Sequence, residues 1–240
     1  MRLLLLTRDA IRHNALAQAL ATEHDLVVIR ESASTPTPVD GSALQTYRQR
    51  VQEAERRVFQ AFGQRARHYL QWMLHDLQLT TTAVDLAQYD RVIVSGTSWI
   101  KPPLLEALVV KGAVNLHAGI APEYRGSGCN FWAQWDGHPE LVGMTIHRLA
   151  AGLDSGDIIE RIRIAEGADP WLRSMRVVRY GHERIVQMLR TMEQYGLDWP
   201  AAYAQPPKAT IRYSRAADFT EAVAGEFLQR YTSAAVSGVS

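Results

Sequence analysis

Apolar and polar positions along the chain follow two different periods. Short apolar runs, bounded by polar or glycine residues, occur at residues 2–7, 26–29, 91–96 and 113–117. Runs of this length are typical of strands that are buried on both faces of a parallel sheet. Between the first two runs, apolar residues lie at roughly helical spacing, namely Ile11, Leu16, Ala19 and Leu20. A strand, a helix and a second strand in this order predict a βαβ unit, and hence an α/β fold with a mostly parallel sheet.

Residues 44–77 are amphipathic at helical spacing and are broken once, at Gly63. The first apolar stripe comprises Tyr47, Val51, Ala54, Val58 and Phe62, and the second comprises Ala66, Tyr69, Leu70, Met73, Leu74 and Leu77. The pattern predicts two helices joined by a bend, inserted into the α/β domain at about residues 42–78. Packing on the sheet edge is the simpler interpretation, and a docking surface or a lid over a substrate is the alternative.

The second half of the chain alternates between strand and helix patterns. Strands are predicted at 144–149 and 157–164, a helix from Asp169 and Pro170 to about Tyr195, and a final helix over 216–231. We therefore expect one α/β domain over residues 1–160 and a C-terminal helical extension over 161–240. The pattern leaves open whether the 44–77 segment or the C-terminal helices form a homodimer.

Composition and charge exclude several classes of function. Hydrophobic residues make up 47% of the 240 residues, enough for a full core, and the net charge of +1 argues against general binding to nucleic-acid phosphates. The apolar start at residues 3–6 is too short for a secretory leader, and no apolar stretch approaches a membrane span. We therefore expect a cytoplasmic protein with neither nucleic-acid nor membrane partners.

Two motif classes are also disfavoured. The segment TRDAIRHN at residues 7–14 contains no glycine, which argues against a phosphate-binding loop after the first strand. Cys129 is the only cysteine, so an internal disulfide and a multi-cysteine metal site are excluded, and no other ligand spacing supports a metal. The thiol has no base beside it in sequence, and we expect it to be inert.

Residues 113–159 combine an amide, an imidazole and a carboxylate with many glycines and prolines. Asn115 and His117 lie two residues apart on a predicted strand, so their side chains share a face about 7 Å apart. They stand at the carboxyl edge, where open α/β sheets bind ligands. Asp154 follows in a turn between Gly152 and Gly156, and the crossing of two strands can place its carboxylate against His117. Each residue alone has a structural explanation, but together they favour catalysis.

The loop over residues 119–128 contains a proline and three glycines, so its backbone can approach a ligand closely. It offers Tyr124, Arg125 and Gly126 as contacts to a substrate, although the first two side chains could instead pack the loop. His147, on the next strand, is interpreted as structural or pocket-lining rather than catalytic.

An amide, an imidazole and a carboxylate without a serine or cysteine nucleophile suit direct acyl transfer to an amine. The amide N–H and a protonated imidazole can stabilise an oxyanion, and the carboxylate can relay a proton through water. The amine itself supplies the nucleophile.

At these residues the chain resembles the folate-dependent formyltransferases. The motifs are NLH at 115–117, PEYRGSG at 122–128, GMTIH at 143–147 and GLDSGDII at 152–159. The resemblance implies a Rossmann-like fold of the formyltransferase type, with a catalytic domain over 1–160, and 10-formyltetrahydrofolate as the donor. It also implies that Asn115, His117 and Asp154 are the catalytic trio. The folate pocket would be lined by Gly96, Thr97, Trp99, Ile100, Arg148, Gly152 and Leu153.

Departures from the family pattern favour one type of acceptor. The glycine-free segment after the first strand is unlike that of glycinamide ribonucleotide enzymes. About eighty residues follow Glu160, fewer than the tRNA-binding domain of the methionyl-tRNA enzymes, and we expect no regulatory domain of the hydrolase type. We therefore expect a small-molecule acceptor, an amino-deoxysugar linked to a nucleotide. Glycinamide ribonucleotide, an amino acid, tRNA-linked methionine, hydrolysis of the donor, and a binding protein that kept the fold are the alternatives.

Overall fold

A seven-stranded sheet runs through the part of the chain that the computed structural model describes, which is residues 1–31, 39–59, 69–72, 85–164, 167, 169–206 and 208–237. The strands are β1 (Arg2–Arg8), β2 (Asp25–Glu31), β3 (Tyr69–Trp72), β4 (Arg91–Ser95), β5 (Val114–His117), β6 (Tyr124–Gly126), β7 (Gly143–Arg148), β8 (Ile158–Arg163) and β9 (Arg212–Ser214). The central sheet has the order β3-β2-β1-β4-β5-β7-β8, and β6 pairs with β9 separately. Strands β1 to β5 are mutually parallel, whereas β7 is antiparallel to both of its neighbours. The predicted mostly parallel α/β fold is confirmed.

Helices cover both faces of this sheet. They are α1 (Ile11–Glu23), α2 (Ala43–Phe59), α3 (Leu104–Val110), α4 (Cys129–Trp135), α5 (Pro170–Tyr195) and α6 (Glu221–Ser237). Strand β1 shows why helices must cover both faces of the sheet, because its leucines belong alternately to two hydrophobic clusters. Leu3 and Leu5 pack in the cluster that contains α1 and α5, and Leu4 and Leu6 pack in the cluster that contains α3. All four are buried, so the unbroken apolar run of β1 follows from its central place in the sheet.

The prediction of a second insertion helix is wrong over the part of this segment that the structure describes. Residues 43–59 form α2 as expected, but Tyr69–Trp72 is strand β3, which pairs in parallel with β2 from Val28 to Glu31. A short apolar run of this kind fits either period, and the open edge of β2 supplies hydrogen-bonding partners that favour the strand. Gly63 and the rest of the second stripe lie outside the described residues.

The helix predicted from Asp169 and Pro170 forms α5 and is central to the core rather than peripheral. Ile185 and Leu189 of α5 are fully buried, and α5 packs on α1, α2, β7 and β8. The predicted domain boundary at residue 160 falls inside β8. Residues 161–195 therefore share one hydrophobic core with the strands that carry the candidate site.

Among the described residues, no helix combines the length and the apolar character needed to cross a bilayer.

The N-terminus of α5 provides a test of local stability. The Asp169 carboxylate caps the helix by accepting a hydrogen bond of 2.8 Å from the Leu172 N–H. We expect Asp169→Ala to lower the free energy of unfolding by about 1 kcal/mol, because one N–H of the first turn loses its acceptor. Urea unfolding would measure this, and Asp169→Ser should retain most of the stability. An equal loss in both variants would contradict the capping role.

Candidate active site

The carboxyl ends of β1, β4 and β5 open into a cleft of about 730 Å³. Arg8 at the end of β1, Ser95 at the end of β4 and the polar side chains of β5 all line it. Strand β5 follows α3 directly and is four residues long, so its last residues stand at the sheet edge. Asn115 and His117 both line the cleft, as the spacing of two predicts.

The turn after β7 brings Asp154 to these two residues. One carboxylate oxygen, Oδ1, accepts a hydrogen bond of 3.2 Å from Asn115 Nδ2, and the other, Oδ2, lies 3.4 Å from His117 Nδ1. Asp154 has a φ of 45°, a left-handed conformation that is uncommon for a residue with a side chain. A Cβ at Gly156 would collide with the carbonyl oxygen of Arg148, so the turn can form only with glycine there. The structure thus brings the three predicted residues together.

Both ring nitrogens of His117 face oxygen acceptors. Nδ1 faces Asp154, and Nε2 lies 3.0 Å from the carbonyl oxygen of Tyr124. Since neither oxygen can donate a hydrogen, a ring protonated on both nitrogens satisfies both contacts. Gly119 keeps the space beside this ring open, because a Cβ there would meet both His117 Nε2 and the Cys129 side chain.

His147 is a fourth member of the cluster that sequence reasoning did not place in it. Its Nε2 lies 3.1 Å from Asn115 Nδ2 and 3.6 Å from Asp154 Oδ1, and its Nδ1 donates to the carbonyl oxygen of Arg148 at 2.8 Å. The cause is strand register, since Asn115 and His147 are direct partners in the antiparallel pair of β5 and β7. A histidine on the strand was visible in the sequence, but its partner was not.

The carboxylate of Asp154 is kept ionised by its surroundings. Burial alone would raise its pKa, but the adjacent His117, the hydrogen-bonded His147 and the Gly126 N–H hold the pKa well below its ordinary value. The Gly126 N–H donates to Oδ2 at 2.8 Å. Asp154 is therefore a buried negative charge at the bottom of the cleft.

A C-terminal segment holds the two halves of the site together. Gln205 Nε2 donates to the carbonyl oxygens of Asp154 and Gly156, at 2.8 and 2.7 Å, while its Oε1 accepts from Arg125 at 2.5 Å. Strand β9 pairs with β6, the strand that supplies the contacts to Asp154 and His117. The sequence pattern contained no signal for this long-range pairing.

Most of the predicted donor-binding residues line the same cleft. They are Gly96, Thr97, Trp99, Ile100, Gly152 and Leu153, and we call this part the strand limb. Trp99 and Leu153 are 63% and 38% exposed, so they form an apolar mouth. Arg148 differs from the prediction that it lines the folate pocket. It does not line the cleft, and its guanidinium lies beside Gly112.

Two of the three residues predicted to contact the substrate, Tyr124 and Arg125, do not line the cleft. The ring of Tyr124 is fully buried, and its hydroxyl donates to Asp136, so only its backbone faces the site. Arg125 donates to Gln205 and to the Tyr213 hydroxyl and does not line the cleft. Gly126 does line it. The burial of the Tyr124 ring explains its position, because a side chain packed in the core cannot also face a ligand.

Two further features limit the chemistry of the site. Burial raises the pKa of the Cys129 thiol, and the charge of Asp154 raises it further. Within the described ranges, no group of three or more His, Cys, Asp and Glu side chains is arranged to hold a metal ion.

A family model described as formyl transferase matches residues 46–189, more than half of the chain. The chain belongs to the formyl transferase family. A methionyl-tRNA formyltransferase from Janthinobacterium sp. (strain Marseille) is 31% identical to it over 140 residues, which are 55% of this chain and 43% of that relative. The match therefore spans less than half the length of that relative.

Two solved formyltransferases have a similar fold. One is a sugar N-formyltransferase from a Shewanella species, with a TM-score of 0.56 and 16% identity over 91% of this chain and 78% of that one. The other, from Anoxybacillus kamchatkensis, was solved in complex with UDP-4,6-dideoxy-4-formamido-L-AltNAc and tetrahydrofolate. Its TM-score is 0.53 at 18% identity, over 91% of this chain and 87% of that one. At these identities the likeness establishes the fold.

The low pKa of Asp154 predicts how stability depends on pH. Because the pKa is lower in the folded chain than the ordinary 3.8, ionised Asp154 stabilises the fold above about pH 4, and this contribution is lost as the pH falls towards the folded value. The unfolding free energy of the wild type, relative to Asp154→Asn, should therefore decrease between about pH 7 and pH 3 in urea titrations. The exposed Asp157→Asn is the matched control. A relative stability that is constant or rises towards acid pH would contradict the ion-pair geometry.

Proposed function

We propose that this formyl transferase moves a formyl group from 10-formyltetrahydrofolate to the primary amine of an amino-deoxysugar carried on a nucleotide. The observation that carries the proposal is the convergence of Asn115, His117 and Asp154 at the bottom of one cleft. Family membership supports the type of reaction. A cleft of about 730 Å³ is within the usual range of ligand-binding pockets and can accept parts of two substrates.

The strand limb is suited to the donor. Its exposed Trp99 and Leu153 offer apolar surface to a flat ring, and the backbone around Gly96 offers hydrogen-bonding groups without a side chain in the way. The donor supplies an activated formyl group when bound. The reacting carbon would then lie towards Asn115 and His117, which line the same cleft as this limb.

The reaction balances without a nucleophile from the protein. The amine nitrogen attacks the formyl carbon, the bond from that carbon to the donor nitrogen breaks, and the amine loses a proton that the donor nitrogen takes up. The Asn115 N–H and the protonated His117 ring are the groups that would stabilise negative charge on the formyl oxygen. Their present contacts of 3.2 and 3.4 Å to Asp154 are long enough to be exchanged for a substrate oxygen.

Asp154 has two roles in this scheme. Its carboxylate orients the His117 ring through the contact of 3.4 Å with Nδ1, and it can accept the amine proton and pass it on. His147, whose Nε2 faces Asn115, is a positioning residue that orients the amide.

The identity of the acceptor is inferred from proteins that are similar to this chain. Two formyltransferases of similar fold are described as a sugar N-formyltransferase and as a complex with a UDP-linked formamido sugar. The curated relative matched over 140 residues is a methionyl-tRNA formyltransferase, so methionyl-tRNA is the second candidate acceptor. Both candidates present a primary amine to the same chemistry.

Replacing members of the trio tests the mechanism. We expect Asn115→Ala, His117→Ala and Asp154→Asn each to lower kcat by about a hundredfold to a thousandfold, because each removes stabilisation of charge that develops only during the reaction. Release of tetrahydrofolate measures the rate. Cys129→Ala is the control and should retain turnover, since its neutral buried thiol takes no part. Turnover that survives loss of His117 or Asp154 would contradict the scheme.

An acceptor panel tests the substrate. UDP- and dTDP-linked 4-amino-4,6-dideoxy sugars, glycinamide ribonucleotide and methionyl-tRNA would each be incubated with the donor, and formylated products identified by mass spectrometry. We expect formylation of a sugar nucleotide. Formylation of methionyl-tRNA alone, or formate released equally without any amine, would replace the sugar-nucleotide proposal.

A further inference from the structure

The cleft has a second part, between helices α1, α2 and α5, which adjoins the strand limb where the His13 ring lies beside Gly96. It is lined by His13, Tyr47, Trp171, Ser174, Val178 and His182, and we call it the helical limb. The four residues from α5 fall at positions 171, 174, 178 and 182, so they form one stripe along a single helix face. This limb is continuous with the trio, because the same cleft is lined by Asn115 and His117.

Several buried polar atoms in the helical limb have no hydrogen-bonding partner. Within the described residues, these are both ring nitrogens of His182, Nδ1 of His13 and the indole Nε1 of Trp171. His13 and His182 are each only 5% exposed. Buried polar atoms are nearly always paired, so a cluster of unpaired ones along one cavity wall indicates the position of a ligand's polar groups.

The two histidines are uncharged. Burial, together with a smaller contribution from the neighbouring charge of Arg12, lowers the pKa of His182 to about 3. Burial also lowers the pKa of His13 well below its ordinary value, with smaller contributions from Arg12, His182, Arg8 and Arg30. At neutral pH each ring therefore offers one donor and one acceptor and carries no charge.

The arginines on this side of the cleft are already paired with carboxylates. Arg12 donates to Glu55 at 2.8 Å, and Arg8 donates to Glu31 at 3.0 Å. Both glutamates are buried, so these pairs are fixed within the fold. Among the described residues, the helical limb accordingly offers hydrogen bonds and aromatic surface, and both of its arginines, Arg8 and Arg12, are already paired.

We propose that the helical limb binds an uncharged sugar ring of the acceptor, with His13, Trp171 and His182 hydrogen-bonded to its hydroxyl or acylamino groups. Tyr47 and Trp171 present aromatic surface to the apolar face of the ring. The acceptor role rests on the proposed function, whereas the preference for an uncharged sugar rests on the limb alone. The charged part of the acceptor lies outside this limb, in the part of the cleft that Arg215 lines.

A binding experiment tests the site without any turnover. Histidine ring resonances would be followed by ¹⁵N NMR during titration with N-acetyl-D-glucosamine, and separately with inorganic pyrophosphate. We expect saturable shifts of His13 and His182 with the sugar and none with pyrophosphate. Unmoved His13 and His182 resonances in the sugar titration, or shifts caused by pyrophosphate, would overturn the proposal.

A substitution tests the same site during catalysis. We expect His182→Phe to raise KM for the amine acceptor about tenfold, with kcat and the donor KM within about twofold of wild type, because only ground-state binding is lost. The melting temperature should not fall, since an unpaired polar ring is replaced by an apolar one. His182→Asn, which keeps a donor and an acceptor, should retain more affinity than His182→Phe.

His138→Phe is the matched control, because His138 is an exposed histidine outside the cleft. An unchanged acceptor KM in His182→Phe, or an equal rise in His138→Phe, would contradict the proposal. If the wild type formylates no amine, the proposed function fails, while the NMR titration still decides whether the limb binds an uncharged sugar.

Discussion

The site depends on one buried negative charge. Asp154 is the only group that contacts Asn115, His117 and the Gly126 N–H among the described residues, and its surroundings favour the ionised carboxylate. Burying an unpaired carboxylate would be costly, so the surrounding donors are as necessary to the fold as to the chemistry. The left-handed backbone at Asp154 and the enforced glycine at position 156 are part of the same constraint, because they aim the carboxylate at the sheet edge.

The sheet explains where the reacting groups stand. Since β5 ends where the parallel part of the sheet ends and β7 turns back beside it, residues from two strands meet at one edge. The cleft is lined both by residues that follow β4 and the Asp154 turn and by residues of α1, α2 and α5. The two limbs differ in chemistry as well as in position. The unpaired rings of the helical limb are a cost to the free protein that a bound partner would remove, which is a common trade between stability and function.

The sequence was informative where the signal is local. A period of two places Asn115 and His117 on one face, the glycines around Asp154 predict a special turn, and the motifs point to the family. The sequence could not predict contacts that depend on strand register or on pairing between segments far apart in the chain. His147 joins the cluster only through the β5–β7 register, and Gln205 only through the fold of the C-terminal segment. Tyr124 failed as a substrate contact because its place in the core is set by Asp136 and by packing, neither of which is visible from its neighbours.

The pairing of β6 with β9 has a consequence for the order in which the chain folds during synthesis. The Arg125 side chain is bonded to Tyr213, 88 positions further along the chain, and the backbone of the same strand pairs with Arg212 to Ser214. Contacts of such large sequence separation form slowly, because closing a long loop costs conformational entropy. A nascent chain that ends before β9 therefore lacks the pairing partner of β6, the strand that contacts Asp154 and His117.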